Sequence, residues 1–155
     1  MNEDFSISQY IYNILHSDKF REGFVRVLSG ARNTMVDRIR KQGIGGDGKK
    51  LKTPYSKRHE RKRLKKSFPV NIRNLDFSGQ DGMLADFSKK DFELSGFDAF
   101  GSVSFNSEDK LEIAQFNDKY LNKFNQEWFG ITVSETNEVF NDLEKLLMEL
   151  LWYSM

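Results

Sequence analysis

Three stretches of this sequence carry residue types that could do chemistry. The first is Gly43-Ile-Gly-Gly-Asp-Gly48-Lys49-Lys50, a glycine-rich run ahead of lysine. That arrangement can wrap backbone N–H groups around a phosphate. A phosphate loop also needs Ser or Thr after its lysine, to hold magnesium, and a strand in front. Here Lys50 stands in the first place and a helical pattern in the second, and Asp47 would repel phosphate. Nucleotide binding is disfavoured, and the plainer expectation is a mobile glycine loop. The second stretch, Lys49 to Lys66, holds ten bases against the single acid Glu60. These are Lys49, Lys50, Lys52, Lys57, Arg58, Arg61, Lys62, Arg63, Lys65 and Lys66, all candidates for DNA or subunit contact. Against DNA they would neutralise phosphates without reading bases. The alternative is a solvated face, or an arm for an acidic protein surface. Tyr55 is the one aromatic in the run, so stacking on single strands has little support. The third stretch is the aromatic phrase Trp128-Phe129-Gly130-Ile131. Trp128 and Phe129 are expected to be packed anchors or interface plugs rather than a ligand cage.

Catalytic and metal chemistry find no matching set. His16 and His59 are the only histidines, far apart and without a HExxH-type partner. The acid pairs Glu108-Asp109 and Asp86 with Asp91 read as turn and surface residues rather than a glycosidase pair. No catalytic residue, cofactor or metal is expected, and the chain is not read as an enzyme.

The elements that must position these stretches follow from periodicity. Ile7, Tyr10, Ile11, Ile14 and Leu15 have helical spacing, and Ser17-Asp18 opens a second helix. Along it Phe20, Phe24, Leu28, Ala31, Met35 and Ile39 form the strongest stripe in the chain. Arg21, Arg26, Arg32, Arg38 and Arg40 fall mostly off it. Gly30, within the stripe's length, marks a close contact or a bend. The helix is expected to stop near Gln42, with Gly43 as a left-handed cap. Thr53-Pro54 reads as the start of a basic helix running to about Lys65, ended by Pro69, with 67–74 extended. Met83 to Phe87 and Phe92 to Leu94 read as strands, as does Gly96 to Phe105 with a turn at 106–109. Leu111 to Phe124 admits two readings: Leu111, Ile113 and Gln115 alternate like a strand, while Ile113, Phe116, Tyr120, Leu121 and Phe124 have helical spacing, and helix is favoured. Thr132-Val-Ser-Glu135 matches a capping box ahead of a last helix carrying Val139, Phe140, Leu143, Leu146, Leu147, Leu150 and Leu151 on one face.

Composition sets the limits. At 155 residues, with fourteen Phe, the chain reads as one folded domain, 1–155, with 43–74 as a basic loop or arm inserted in it. Cysteine is absent, which fits a reducing compartment. There is no signal-peptide pattern and no apolar run long enough for a membrane span. Net charge is +1, but residues 49–66 carry +9 and the remainder −8. Such asymmetry suits a polyanion partner or an acidic face, including that of a neighbouring copy.

The order of certain phrases resembles a family of tailed-bacteriophage virion morphogenesis proteins, the tail-completion or neck proteins of the head–tail junction. The phrases are Asp37-Arg38-Ile39 at a helix end, Gly48-Lys-Lys-Leu51-Lys-Thr-Pro-Tyr55-Ser56, and Leu75-Asp-Phe-Ser78-Gly79 with Met83-Leu84 beyond. Ala114-Gln-Phe116-Asn117 and Glu127-Trp128-Phe129-Gly130-Ile131-Thr132 follow. Gln126-Glu127 stand where the family has Arg-Pro. The resemblance covers about residues 35–150. It implies an α+β subunit: a small antiparallel β-sheet packed by a long N-terminal helix and a C-terminal helix, with an extended basic arm. It also implies a homo-oligomeric ring, often six-fold, between head connector and tail tube or terminator. The location would be the virion, after assembly in the host cytoplasm, with non-specific contact to genomic DNA and none to membrane. The alternative is a non-specific DNA-binding module using residues 49–66. Opposite charges on the two flanks of a ring subunit agree with the first reading, as does a glycine loop that orders only on docking to a neighbour.

Overall fold

The computed structural model describes residues 6–51, 57–58, 61–62, 82–123, 125 and 127–153. The fold is α+β: a two-stranded antiparallel sheet packed by a long N-terminal helix and a C-terminal helix. Helix α1 (Ile7–Leu15) is capped by Ser6, whose hydroxyl accepts from the Gln9 N–H. Helix α2 (Asp18–Asp37) starts at the expected Ser17, which accepts from the Phe20 N–H. Its last turn widens into a π-helical turn over Arg38–Gln42, and Gly43 closes it at φ 63°, the left-handed conformation glycine tolerates best.

After Gly82 the chain forms a single helical turn, α3 (Met83–Asp86), where the sequence pattern had predicted a strand. The reason is burial. Met83, Leu84 and Phe87 are all buried, and one helical turn puts positions i, i+1 and i+4 on one side. A strand would have sent Leu84 to the opposite face. Strands β1 (Phe87–Ser95) and β2 (Asp98–Phe105) pair in antiparallel register, Phe92 opposite Gly101, across a two-residue turn that opens on Gly96 at φ 60°. The strand expected at 96–105 is therefore present, and the one at Phe92 to Leu94 is part of the longer β1. Helix α4 (Glu108–Asn122) begins where a turn had been expected, and helix α5 (Val133–Tyr153) closes the described chain.

Two buried clusters result. Phe20 and Phe24 of α2 pack with Ile14, Leu146 and Leu150, and Phe92 and Ala99 of the hairpin lie against them. Met35, Val36 and Ile39, about three turns on, pack with Leu51, Met83, Leu84, Phe87, Ala114, Leu121 and Trp128. One helix thus serves both clusters. The close approach predicted at Gly30 occurs elsewhere: a Cβ at Gly30 would meet nothing, whereas one at Gly23 would fall 2.3 Å from Leu146 Cδ1. Gly23 is where α2 and α5 cross. Likewise a Cβ at Gly101 would lie 2.3 Å from Phe24 Cε1, so the missing side chain lets α2 lie down on the hairpin.

Helix α4 has the predicted helical spacing but buries a different face. Ala114 and Leu121, seven apart, are buried, while Leu111, Ile113, Phe116 and Tyr120 are exposed. The predicted Thr53–Pro54 helix start, Tyr55, Leu64, Pro69 and the phrase Leu75–Gly79 lie outside the described residues. Within that segment Lys57, Arg58, Arg61 and Lys62 are helical and exposed.

Candidate functional site

The end of α2, the glycine loop and the aromatic phrase meet at one buried ion pair. Arg38, in the π-helical turn, donates from Nε to Glu135 Oε1 at 2.7 Å, and both residues are buried. Its Nη1 donates to the carbonyls of Ile44 (2.7 Å) and Gly45, and its Nη2 to that of Gly130 (2.6 Å). One guanidinium therefore ties together the end of α2, the glycine loop, the aromatic phrase and the start of α5. A planar donor with five N–H groups can satisfy a carboxylate and several carbonyls at once; a lysine could not span them.

Glu135 is held from the other side by the predicted capping box. Thr132 N–H donates to Glu135 Oε2 at 2.8 Å, and Glu135 N–H to Thr132 Oγ1 at 3.2 Å. Thr132 is the cap. Burial pushes the Glu135 carboxyl up, but the Arg38 guanidinium and the Thr132 N–H outweigh it and hold it below its ordinary value of 4.5. A carboxyl lowered in the folded state contributes stability above its unfolded pKa, and that contribution is lost as pH falls through the folded value. Thermal unfolding across pH is expected to show a stability loss below about pH 4.5. The Glu135→Gln variant should be less stable at pH 7 and show a flatter curve below pH 4.5.

The glycine loop departs from its expected mobile state. Gly45 N–H donates to Lys49 O (2.8 Å), Gly46 N–H to Glu127 O (2.9 Å), Gly48 N–H to Gly45 O (3.1 Å) and Leu51 N–H to Gly43 O (2.7 Å). Lys49 N–H is taken by Asp47 Oδ1 at 3.0 Å. Ile44 and Lys50 form an isolated antiparallel bridge. These amides are spent on the protein itself, so they do not form a phosphate cradle. The loop is docked because two glycines let backbone meet backbone. A Cβ at Gly45 would fall 1.9 Å from Glu127 O, and one at Gly46 2.8 Å from Phe129 O. Gly45→Ala is expected to cost about 1–3 kcal/mol in a denaturant titration. Gly48→Ala, whose Cβ meets nothing and carries only the strain of its positive φ, should cost about 1–2 kcal/mol.

Of the two expectations for the aromatic phrase, Trp128 meets the packed anchor and not the interface plug: it is fully buried in the second cluster. Phe129 is half-buried, its ring 4.8 Å from those of Phe87 and Trp128 and 5.8 Å from that of Phe105. Beside it runs an open groove of about 530 Å³ along α4, lined by Phe105, Leu111, Ala114, Gln115, Asp118, Lys119 and Asn122 as well as the two aromatics. Its two charged residues are adjacent and exposed on α4.

Of the ten basic candidates, Lys49 and Lys50 are exposed on the docked loop, with Lys49 Nζ 3.8 Å from Asp47. Lys57, Arg58, Arg61 and Lys62 are exposed and make no ion pair among the described residues. Lys52, Arg63, Lys65 and Lys66 lie outside the described residues. Asp86 is structural: it accepts the Ser107 N–H at 3.0 Å ahead of α4, and that bond first of all holds its carboxyl below the ordinary value. His16 stacks on Tyr12 at 3.9 Å and bonds the Gly96 carbonyl at 3.0 Å, bracing the hairpin turn. Among the described residues no group of three His, Cys, Asp or Glu is arranged to hold a metal, and no helix is long and apolar enough to cross a membrane.

Sequence reasoning set Arg38 off the apolar stripe and in the Asp37-Arg38-Ile39 phrase but gave it no partner, and read Glu135 only as half of a cap. The available signal was the second oxygen of a capping-box glutamate, which a buried cation can claim. Compared with known proteins, the chain matches no family model, no curated protein and no solved structure.

Proposed function

We propose that this chain is a structural subunit of a tailed-phage neck, a tail-completion-like protein that assembles into a homo-oligomeric ring at the head–tail junction. The observation that supports this most is convergence. Ile39, Leu51, Met83-Leu84, Ala114 and Trp128, with Phe129 against them, come from separate phrases of the resemblance and pack into one cluster, and Arg38 and Gly130, from two of those phrases, are joined by a hydrogen bond. Phrases of a shared scaffold are expected to meet in its core; unrelated sequence matches are not. The role is mechanical rather than catalytic: the fold presents charged surfaces and a hairpin from a rigid clamp. In the virion it would meet the head connector on one side and the tail terminator or tube on the other, with the cationic segment near DNA or a neighbour.

Native mass spectrometry across protein concentration tests the reading. Discrete closed oligomers that grow with concentration are the expected result. A monomer at every concentration, absent from assembled particles, overturns it. One observation favours a second reading, non-specific DNA binding: Lys57, Arg58, Arg61 and Lys62 are exposed, helical and, among the described residues, without ion pairs. That reading requires affinity for random duplex that falls steeply with salt.

A further inference from the structure

The β1–β2 hairpin is the whole of the sheet among the described residues, so each strand has one edge turned away from its partner. The two-residue turn makes Ser95 and Asp98 a hydrogen-bonded pair. Alternation along the register then points the N–H and C=O groups of Lys90, Phe92 and Leu94 out from β1, and those of Ala99, Gly101 and Val103 out from β2. No hydrogen bond reaches either set among the described residues. The two edges differ in their protection. An open edge invites pairing with another chain, and folded proteins blunt it with lysine, other charges and bulges. The β1 edge has all three: Lys89, Lys90, Asp91 and Glu93 are exposed, and the register shifts between Phe87 and Lys89. Arg32 also covers its base, donating to the carbonyls of Phe87 and Leu84 at 2.6 Å. The β2 edge has none. Residues 99–105 carry no charge, no proline and no bulge. Gly101 and Ser102 at its middle are exposed, and Phe100, on the face turned away from α2, is 58% exposed.

We infer that the β2 edge is the pairing site for β2 of a second copy of the chain, the two strands running antiparallel about a two-fold axis at Gly101. The hairpins of the two copies then form one sheet in the order β1-β2-β2-β1. A two-stranded sheet is marginal by itself and gains from added strands. The inference stands apart from the ring reading, because such a contact is isologous and closes with two copies. Three features select this occupant. The first is charge. A neutral edge offers nothing to a phosphate backbone, and β1 of another copy would bring lysines, carboxylates and a bulge. The second is self-complementarity. With Gly101 on the axis, Ala99 faces Val103 of the second copy, and the outward groups form about six hydrogen bonds. On the outer face Phe100 lies opposite Ser102 of the second copy, and Asp98 opposite Ser104, so no like charges meet. The third is apolar cover. Each Phe100 ring spans a small serine and comes within diagonal reach of the other Phe100, hiding aromatic surface that a single copy leaves in water. The contact is short, which places it among weak, transient interfaces.

Amide hydrogen exchange by NMR and a charge swap test this. As the wild-type protein is raised from about 10 µM to 1 mM, exchange at Ala99, Gly101 and Val103 should slow by roughly tenfold, while exchange at Lys90, Phe92 and Leu94 stays the same. In the swap, one variant carries Phe100→Lys with Ser102→Lys, and the other Phe100→Glu with Ser102→Glu. Both positions are exposed, so each variant should melt within about 3 °C of the wild type. Each alone sets like charges across the axis and is expected to stay unpaired, by sedimentation velocity, at a concentration where the wild type is mostly dimer. Mixed in equal amounts the two should pair one to one, because lysine then faces glutamate. Slowing at the β1 amides instead assigns the contact to β1 of another copy and overturns the inference. No slowing at the β2 amides also overturns it, and rings that form with those amides unprotected leave the ring reading standing. Pairing of either variant alone as readily as the wild type, or failure of the mixture to pair, overturns it too. Dimers with protected β2 amides that never grow larger support the inference and count against the ring.

Discussion

Replacing Arg38 with methionine is expected to cost about 3–5 kcal/mol of folding stability. The substitution keeps much of the side chain's volume but leaves the buried Glu135 carboxylate without its cation and the carbonyls of Ile44, Gly45 and Gly130 without their donor. An uncompensated buried charge costs more than the net worth of the pair, which is why the single change is so damaging. For a chain of this size the melting temperature should fall by roughly 6–20 °C. The double variant with Glu135→Leu should recover part of the loss, since the orphaned charge is gone, but not all of it, because three carbonyls and the Thr132 N–H stay unsatisfied. Arg40→Met, at the centre of the same turn but exposed, should change stability by less than about 0.5 kcal/mol. An Arg38→Met protein within 1 kcal/mol of wild type would mean that the clamp does not hold the fold together.

Replacing Trp128 with alanine is expected to cost about 3–5 kcal/mol, measured on the dilute, unassembled chain. The indole has no exposed surface and packs with Ile39, Leu51, Leu84, Ala114 and Leu121, residues drawn from four separated parts of the chain. Removing it opens a cavity that a backbone pinned by Arg38 and by two abutting glycines has little freedom to collapse into. The measurement also separates two roles. An interface anchor would leave the dilute chain's stability unchanged and weaken assembly alone. A core anchor lowers stability first, and assembly only as a consequence. Phe129→Ala should cost less, since Phe129 is only half-buried.

The neck-subunit reading gains its mechanical sense from where these residues lie. The clamp fixes the glycine loop, and with it the point at which the basic segment leaves Leu51, against the start of α5. The end of the glycine loop at Leu51 and the start of α5 therefore belong to one junction, although they are separated by some eighty residues in sequence. A ring subunit needs its two joining surfaces held at a constant angle, because closure depends on that angle repeating in every copy.

What the amino-acid order determined by itself was local. Ser17 as a cap, Gly43 as a left-handed stop, the Thr132–Glu135 box and the stripe from Phe20 to Ile39 each depend on residues within a few positions, so their spacing could be read directly. The two long helices follow from such signals, whereas the α+β class was what the resemblance implied. Tertiary structure alone decided which face of α4 is buried, why Met83–Asp86 coils rather than extends, and that the glycine loop is docked instead of mobile. It also decided that Arg38 meets Glu135 ninety-seven positions away and that Trp128 faces inward. Those outcomes depend on partners remote in sequence. A periodic pattern records that a residue prefers to be buried, and the arrangement of the other elements chooses what it is buried against.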